Sequence, residues 1–272
     1  MTETPKNWFV TGASRGFGRE FARAALERGD RVAATARDAA ALHGLAGELL
    51  PLALDVTDRE AVRAVVHEAE SRLGGLDVVV NNAGYGHFGA VEELTETELR
   101  DQLETNVFGA LHVSQAVLPG LRQRGRGHLV QVSSIGGIGA FANLGAYHAS
   151  KWALEALSES LAVEVARFGI HVTIVEPGGY DTDWAGSSAR RSTPLSAYDP
   201  MRAEAAARRS GQAPGDPAAA AQALLEIVDS PAPPLRVLFG AQAPGIVRTI
   251  YGRRLAEWDR TGELARRAHG PH

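Results

Sequence analysis

The 272-residue chain contains no cysteine, which removes disulfides, thiolate nucleophiles and cysteine-bound metals from consideration. Lysine is almost as scarce: of 28 basic residues only Lys6 and Lys151 are lysine, and the remaining 26 are arginine. No H-E-x-x-H pattern or clustered acid–histidine spacing occurs, so no metal is expected. Charge of neither sign dominates, with 28 basic residues against 32 acidic ones and a net charge of −4. That balance offers no basic footprint for nucleic acid and no polybasic patch for a membrane surface. The run Leu129–Ser150 lacks Lys, Arg, Asp and Glu, but its glycine, serine and asparagine make it too polar to span a membrane. The polar start Met1–Lys6 leads straight into an apolar strand and does not fit a signal peptide. The absences together lead us to expect a cytoplasmic protein without nucleic-acid or membrane partners. What remains is ordinary for a globular protein with a full-size core: 44% hydrophobic and 22% charged residues.

Short apolar, β-branched runs alternate with helical patterns. The strands are expected at Trp8–Thr11, Val32–Thr35, Leu50–Leu54, Leu76–Val80, His128–Ser133, His171–Val175 and Leu235–Phe239. Between them, Thr57 and Glu60 read as a capping box opening a helix that Gly74 ends, with Val62, Val65, Val66, Ala69 and Leu73 as its apolar stripe. Thr95 and Glu98 read as a second box, opening a long helix towards Leu121. Leu154, Leu157, Leu161 and Val165 form a further stripe that ends at Gly169. Asp216-Pro217 reads as an N-cap followed by proline at the first helical position. Such alternation predicts an α/β fold: one Rossmann-like, doubly wound parallel sheet of about seven strands, helices on both faces, spanning residues 1–272 as a single domain. The weakly patterned segment 183–215, with one possible helix near Met201–Arg209, is expected to be a substrate lid, and 240–272 a C-terminal extension.

In an open parallel sheet, ligands bind beyond the carboxyl ends of the strands, near the point where strand order reverses. Small, polar and glycine residues follow every strand here. The first is followed by Gly12-Ala13-Ser14-Arg15-Gly16-Phe17-Gly18, the third by Asp55 and Val56, the fourth by Asn82-Ala83-Gly84. The fifth ends in Ser133-Ser134 and the sixth in Glu176-Pro177-Gly178-Gly179. Glycines directly after the first strand let the backbone pass close to a pyrophosphate while the next helix aims its N–H groups at it. Tyr147 and Lys151, four residues apart, share one helix face. A phenol titrates near about 10 on its own, and an adjacent ammonium favours the phenolate. In a chain that uses arginine almost everywhere, the lysine at 151 marks a place where a compact ammonium matters. Ser134 stands where it could hold a substrate oxygen, and Asn106 is a mid-helix amide expected to be buried.

Thr11-Gly12-x-x-x-Gly16-x-Gly18, Asn81-Asn82-Ala83-Gly84, Asn106, Ser134, Tyr147-x-x-x-Lys151 and Pro177-Gly178-x-x-x-Thr182 stand in an order and at spacings that resemble the short-chain dehydrogenase/reductase family, over about the first 182 residues. The resemblance implies that Tyr147 is the catalytic acid/base and that Ser134 positions the substrate oxygen. It implies that Lys151 lowers the tyrosine pKa and binds the nicotinamide ribose, and that Asn106 holds a water in a proton relay. Gly12, Ser14, Arg15, Gly16, Phe17, Gly18, Arg37, Asp55, Val56, Asn82, Ala83, Gly84, Pro177, Gly178 and Thr182 are implied as the remaining cofactor contacts. A homodimer or homotetramer built on the helices of residues 95–121 and 147–168 is implied as well.

Cofactor choice follows from charge. Members that prefer NAD carry an acid at the end of the second strand; here neutral Ala36 stands there, followed by Arg37, with Arg15 in the glycine loop. Two guanidiniums suit a phosphate dianion, so NADP(H) is expected over NAD(H). Asp38 is read as a helix cap and His87 as a neutral surface histidine. Phe141, Leu144, Tyr180 and Trp184 make the expected pocket apolar, suiting a lipophilic ketone or aldehyde and the corresponding alcohol. The alternatives are a 3-oxoacyl-thioester reductase and a non-catalytic NADP(H)-sensing protein. A halohydrin-type lyase is disfavoured by Lys151 and the intact glycine loop.

Overall fold

The computed structural model describes residues 5–209 and 213–270. Seven strands form one parallel sheet: β1 (Asn7–Val10), β2 (Arg31–Ala36), β3 (Glu48–Ala53), β4 (Val78–Asn81), β5 (Gly127–Val132), β6 (Ile170–Pro177) and β7 (Arg236–Phe239). Their spatial order is β3-β2-β1-β4-β5-β6-β7. Each lies within two residues of its expected run. The order reverses between β1 and β4, whose registers align Trp8 with Val78 and Val10 with Val80, and the crevice of the fold opens above that pair.

The sheet is buried on both faces, which is why its strands read as continuous apolar runs rather than alternating ones. On one face, Trp8, Val10, Val32 and Val130 pack against Phe21, Ala22 and Leu26 of α1 (Gly16–Glu27) and Ala221, Leu224 and Val228 of α7 (Pro217–Asp229). On the other, Phe9, Val79, Leu129 and Val172 pack against Val62, Val66 and Leu73 of α2 (Arg59–Leu73), Val113, Val117 and Leu121 of α4 (Gly109–Arg124) and Val165 of α5 (Gly145–Val165). Helix α3 (Glu96–Leu103) precedes α4, α6 covers Asp199–Arg209, and α8 (Ala243–Arg260) and α9 (Gly262–His269) follow β7. No helix among the described residues is long and apolar enough to cross a membrane.

Local rules place most helix ends. The Thr95–Glu98 box is formed in both directions, Gly74 closes α2 in the left-handed region, Asp216 caps α7, and Asp38 caps a short 3-10 turn at Ala39–Leu42. The Thr57–Glu60 box is not formed. Asp58 is the cap of α2, accepting from the Glu60 and Ala61 amides at 3.1 and 3.0 Å, while Thr57 turns away and donates to Asp55 Oδ1 at 2.8 Å. One carboxylate oxygen reaches two orphan amides there, which a threonine hydroxyl one residue earlier cannot. The long helix expected from Thr95 is interrupted by a π turn at Glu104–Phe108 before α4 continues to Arg124. Leu157 stands on the open side of α5 rather than in its stripe.

His87 is also not at the surface. It is 2% exposed, in a two-residue strand, His87–Phe88, that pairs in parallel with Arg190–Arg191. Its Nε2 meets Ser192 Oγ at 2.8 Å, and burial lowers its pKa. This pairing folds the start of the 183–215 segment back over the loop after β4; residues 210–212 of that segment lie outside the described residues.

Candidate active site

The loop between β1 and α1 is shaped by what stands against it. Gly12 and Gly16 adopt φ of +65° and +56°, a region that a side chain disfavours. A Cβ on Gly18 would come within 2.4 Å of Asn82 Nδ2 and 2.5 Å of the Gly12 carbonyl. Asn82 ties the two loops together, donating to the Thr11 and Gly12 carbonyls at 2.9 and 3.1 Å. Thr11 Oγ1 accepts from the amides of Asn82 and Ala83, both at 3.0 Å. Helix α1 has no side-chain cap and carries no acid in its first turn. An uncapped N-terminus behind closely approached glycines fits a pyrophosphate, so these residues can hold a dinucleotide.

Around that cradle, Gly84 follows Asn82 and Ala83 at the end of β4. Asp55 and Val56 follow β3, the first exposed and the second buried, and Arg37 is exposed at the end of β2. Pro177 closes β6, and the Gly178 amide donates to the Phe239 carbonyl at 2.9 Å. Thr182 lies across the cradle, with its side chain 3.7 Å from where a Gly16 Cβ would stand. Ser14 and Phe17 are half-buried in the loop and first turn, and Phe17 packs edge-on to Tyr180 at 4.8 Å. Arg15, expected to face a phosphate, instead forms an ion pair with Asp183 at 2.8 Å. Ser187 and Ser188 hydrogen-bond the same carboxylate, and these contacts hold the Asp183 carboxyl down to about 2, with Arg15 adding to them.

Tyr147 and Lys151 lie on the first turns of α5, both buried, directly behind the end of β5. The ammonium stands 5.8 Å from the tyrosine ring centre and donates to the Val132 carbonyl at 2.7 Å. Burial pushes the phenol up to about 12, opposed by a hydrogen bond with Ser134. Burial also pulls Lys151 down to about 8, opposed by Glu155. At neutral pH the tyrosine is therefore a proton donor and the lysine an ammonium. The Trp184 ring meets Tyr147 edge-on at 4.9 Å and Phe88 at 5.2 Å, forming an aromatic wall beside the phenol.

Asn106 sits in the π turn, buried, with its side chain fully engaged. Its Oδ1 accepts from the Tyr85 amide at 3.1 Å, and its Nδ2 donates to the Tyr85 carbonyl at 3.1 Å and to Ser150 Oγ at 3.0 Å. One helix side chain thus stitches the β4 loop to α5. Sequence reasoning missed Ser150 and Tyr85 here, and it gave Asp183 no pairing with Arg15. Ser150 stands beside Lys151 among other buried polar residues of α5, so nothing in its local sequence set it apart.

The sheet order, the phosphate-ready loop and the buried tyrosine–lysine pair together define a dinucleotide-dependent α/β oxidoreductase. The short chain dehydrogenase family profile matches residues 6–192. A short-chain dehydrogenase from Streptomyces avermitilis of known structure shares 44% identity and a TM-score of 0.89, covering 97% of this chain and 98% of that one. Oxidoreductase BOA17 of Botryotinia fuckeliana is 44% identical over 246 residues, 88% of this chain and 90% of its own. An alcohol dehydrogenase from Thermococcus sibiricus, solved with 5-hydroxy-NADP, matches at 28% identity and a TM-score of 0.74, over 87% and 96% of the two chains. The chain belongs to the short-chain dehydrogenase/reductase family, and as such is an oxidoreductase that uses a nicotinamide cofactor and acts on small molecules.

Proposed function

We propose that the protein is an NADP(H)-preferring reductase of lipophilic ketones or aldehydes that also runs the reverse alcohol oxidation. The observation that carries this is the buried Tyr147 phenol, with an ammonium one helical turn away and an aromatic wall beside it. The bound nicotinamide supplies or accepts the hydride. In reduction, Tyr147 gives its proton to the substrate oxygen, which Ser134 holds by hydrogen bond, and Lys151 compensates the phenolate that forms. The Asn106 side chain is committed to Tyr85 and Ser150, so a relay water would be held by its main chain.

Gly12, Ser14, Gly16, Phe17 and Gly18 would embrace the pyrophosphate side of the cofactor, and Arg37 its 2′-phosphate, joined by Arg15 if it leaves Asp183. Asp55 and Val56 would meet the adenine, Asn82, Ala83 and Gly84 the adjoining ribose, and Pro177, Gly178 and Thr182 the nicotinamide. Segment 183–215 acts as the lid, a reading supported by Trp184 on Tyr147 and Asp183 on Arg15. The whole chain works as one domain in the cytoplasm, with 240–272 as an extension. A homodimer or homotetramer through α4 and α5 is supported by Trp152 and Val163, exposed on one face of α5.

The test follows loss of NADPH absorbance across lipophilic ketones, aldehydes and 3-oxoacyl thioesters. Turnover of the first two classes is expected. Tyr147→Phe should lose about 100- to 10,000-fold in kcat while still binding NADPH. Turnover of the thioesters alone would move the assignment to an acyl-thioester reductase. Tight NADPH binding with no turnover at all would identify a sensor.

A further inference from the structure

Behind Lys151 lies a group of charges that hydride transfer does not call for. Glu155 follows Lys151 by four residues, so the two side chains share a helix face. Glu155 is 4% exposed and Glu176, near the end of β6, is 2% exposed. Arg236, at the start of β7, bridges them, with Nη1 on Glu155 Oε2 and on Glu176 Oε1. Its Nη2 also reaches the exposed Glu159 at 2.8 Å. The second oxygen of Glu155 accepts from Ser133 Oγ.

The placement is specific. Lys151 grips the carbonyl of Val132 and Glu155 grips the hydroxyl of Ser133, the two residues that lead into Ser134. Beyond Ser134 the chain closes down on the same carboxylate: a Cβ on Gly137 would lie 2.6 Å from Glu155 Oε1 and 2.7 Å from Ser133 Oγ. Apolar residues would fill such a site at lower cost than buried carboxylates, which must be desolvated before they can be paired. A charge kept there at that cost has work to do.

We propose that Glu155, anchored by Arg236 and Ser133, is a positioning residue that keeps Lys151 in its ammonium form and fixes the strand end from which Ser134 projects. The charged and titratable groups around Glu155 are Lys151 and Glu159 on its own helix, Glu176 from β6 and Arg236 from β7. Ser133 from β5 and Gly137 from the following turn bring no charge. Burial, and then the neighbouring Glu155, pushes Glu176 up to about 7. Burial alone would carry Lys151 lower than about 8, and Glu155 opposes it. The proposal rests on the reading of Tyr147 and Lys151 as the reacting pair only for its consequence in turnover.

The scarcity of lysine makes the test direct. Protein labelled with [13Cε]lysine gives two side-chain signals, from Lys6 and Lys151, and Lys6→Arg assigns them. In Glu155→Gln the Lys151 titration midpoint is expected to fall by about one pH unit, a tenfold loss of proton affinity. Glu155→Asp should fall by less, and Glu176→Gln should leave the Lys151 midpoint nearly in place. The Lys6 signal, set by its surface pair with Asp229, reports that the fold is intact. Should Glu155→Gln not fold, Glu155→Asp carries the test through its smaller shift in the same direction. An unmoved Lys151 midpoint in whichever variant folds would overturn the proposal. The alkaline limb of kcat is expected to move down with the Lys151 midpoint. A shifted midpoint with an unmoved limb would uphold the grip of Glu155 on Lys151 and overturn the catalytic reading of the lysine.

Discussion

A single phosphate separates the two nicotinamide cofactors, and one position meets it. Ala36 ends β2 as a small, buried, neutral residue where an acid would repel a 2′-phosphate, and Arg37 follows it into solvent. Arg15 is engaged with Asp183, so the proposed preference for NADP(H) would rest on Arg37 alone in this arrangement. Hydrogen bonds to charged groups contribute about 1.5–3 kcal/mol, which corresponds to roughly ten- to a hundredfold in affinity. Arg37→Ala is therefore expected to weaken NADPH by that factor and to leave NADH within about twofold. Fluorescence titration of both cofactors against both proteins measures it, and equal losses would remove the assignment. Much of the candidate site was legible at this scale, because the proposed cofactor contacts mostly follow strand ends that the topology gathers, and Tyr147 and Lys151 share a helix face by their spacing. His87 was not, since its burial depends on Ser192, over a hundred positions away in the chain.

Among the elements, the segment after β6 is tied to the rest of the site at two places. Asp183–Ala185 forms a 3-10 turn held to the glycine loop by the Arg15–Asp183 pair, and Arg190–Arg191 docks on His87–Phe88. Asp183 occupies the guanidinium that a 2′-phosphate would otherwise recruit. Asp183→Ala frees Arg15 and loosens the lid for both cofactors alike, so the ratio of NADPH to NADH affinity should rise by up to about fivefold, the worth of an exposed ion pair. Because the carboxyl is held down to about 2, it stays ionised through the physiological range, so Asp183 itself should add no pH dependence to the ratio from about pH 6 to 8. A ratio that falls in the variant would show that Asp183 helps to form the phosphate site. The seven strands and the main helices were readable because periodicity and capping are local signals. The π turn was not: it has no residue code, and it exists where Asn106 turns inward to satisfy both backbone groups of Tyr85. The two-residue strands are likewise too short to show any period, and they form only because segments a hundred residues apart are brought together.

Across the whole molecule, buried ionisable groups make stability depend on pH, and they act in opposite directions. Glu176 titrates at about 7 in the fold and near its ordinary 4.5 when unfolded, so between those values the native state holds a proton the unfolded chain has lost. Its contribution is present at low pH and declines as pH rises through that window. His128 and His148 are pushed down to about 4 by burial, against an ordinary 6.5. Between those values the unfolded chain holds two protons the native state lacks, and stability is lost as pH falls below 6.5. His87 shifts in the same direction. On the acid side the histidines therefore outweigh Glu176 by about one proton, or about 1.4 kcal/mol per pH unit; above 6.5 the declining contribution of Glu176 is opposed by Lys151, held at about 8 in the fold against an ordinary 10.5. Stability is therefore expected to rise from about pH 5 to about 6.5 and to level off towards about pH 8, read from urea midpoints across that range. His148→Gln should reduce the acid-side slope by one proton, because a glutamine remains neutral in both states. A profile that is flat from about pH 5 to 6.5, or a variant that leaves the slope unchanged, would mean that these imidazoles gain their protons without opening the fold.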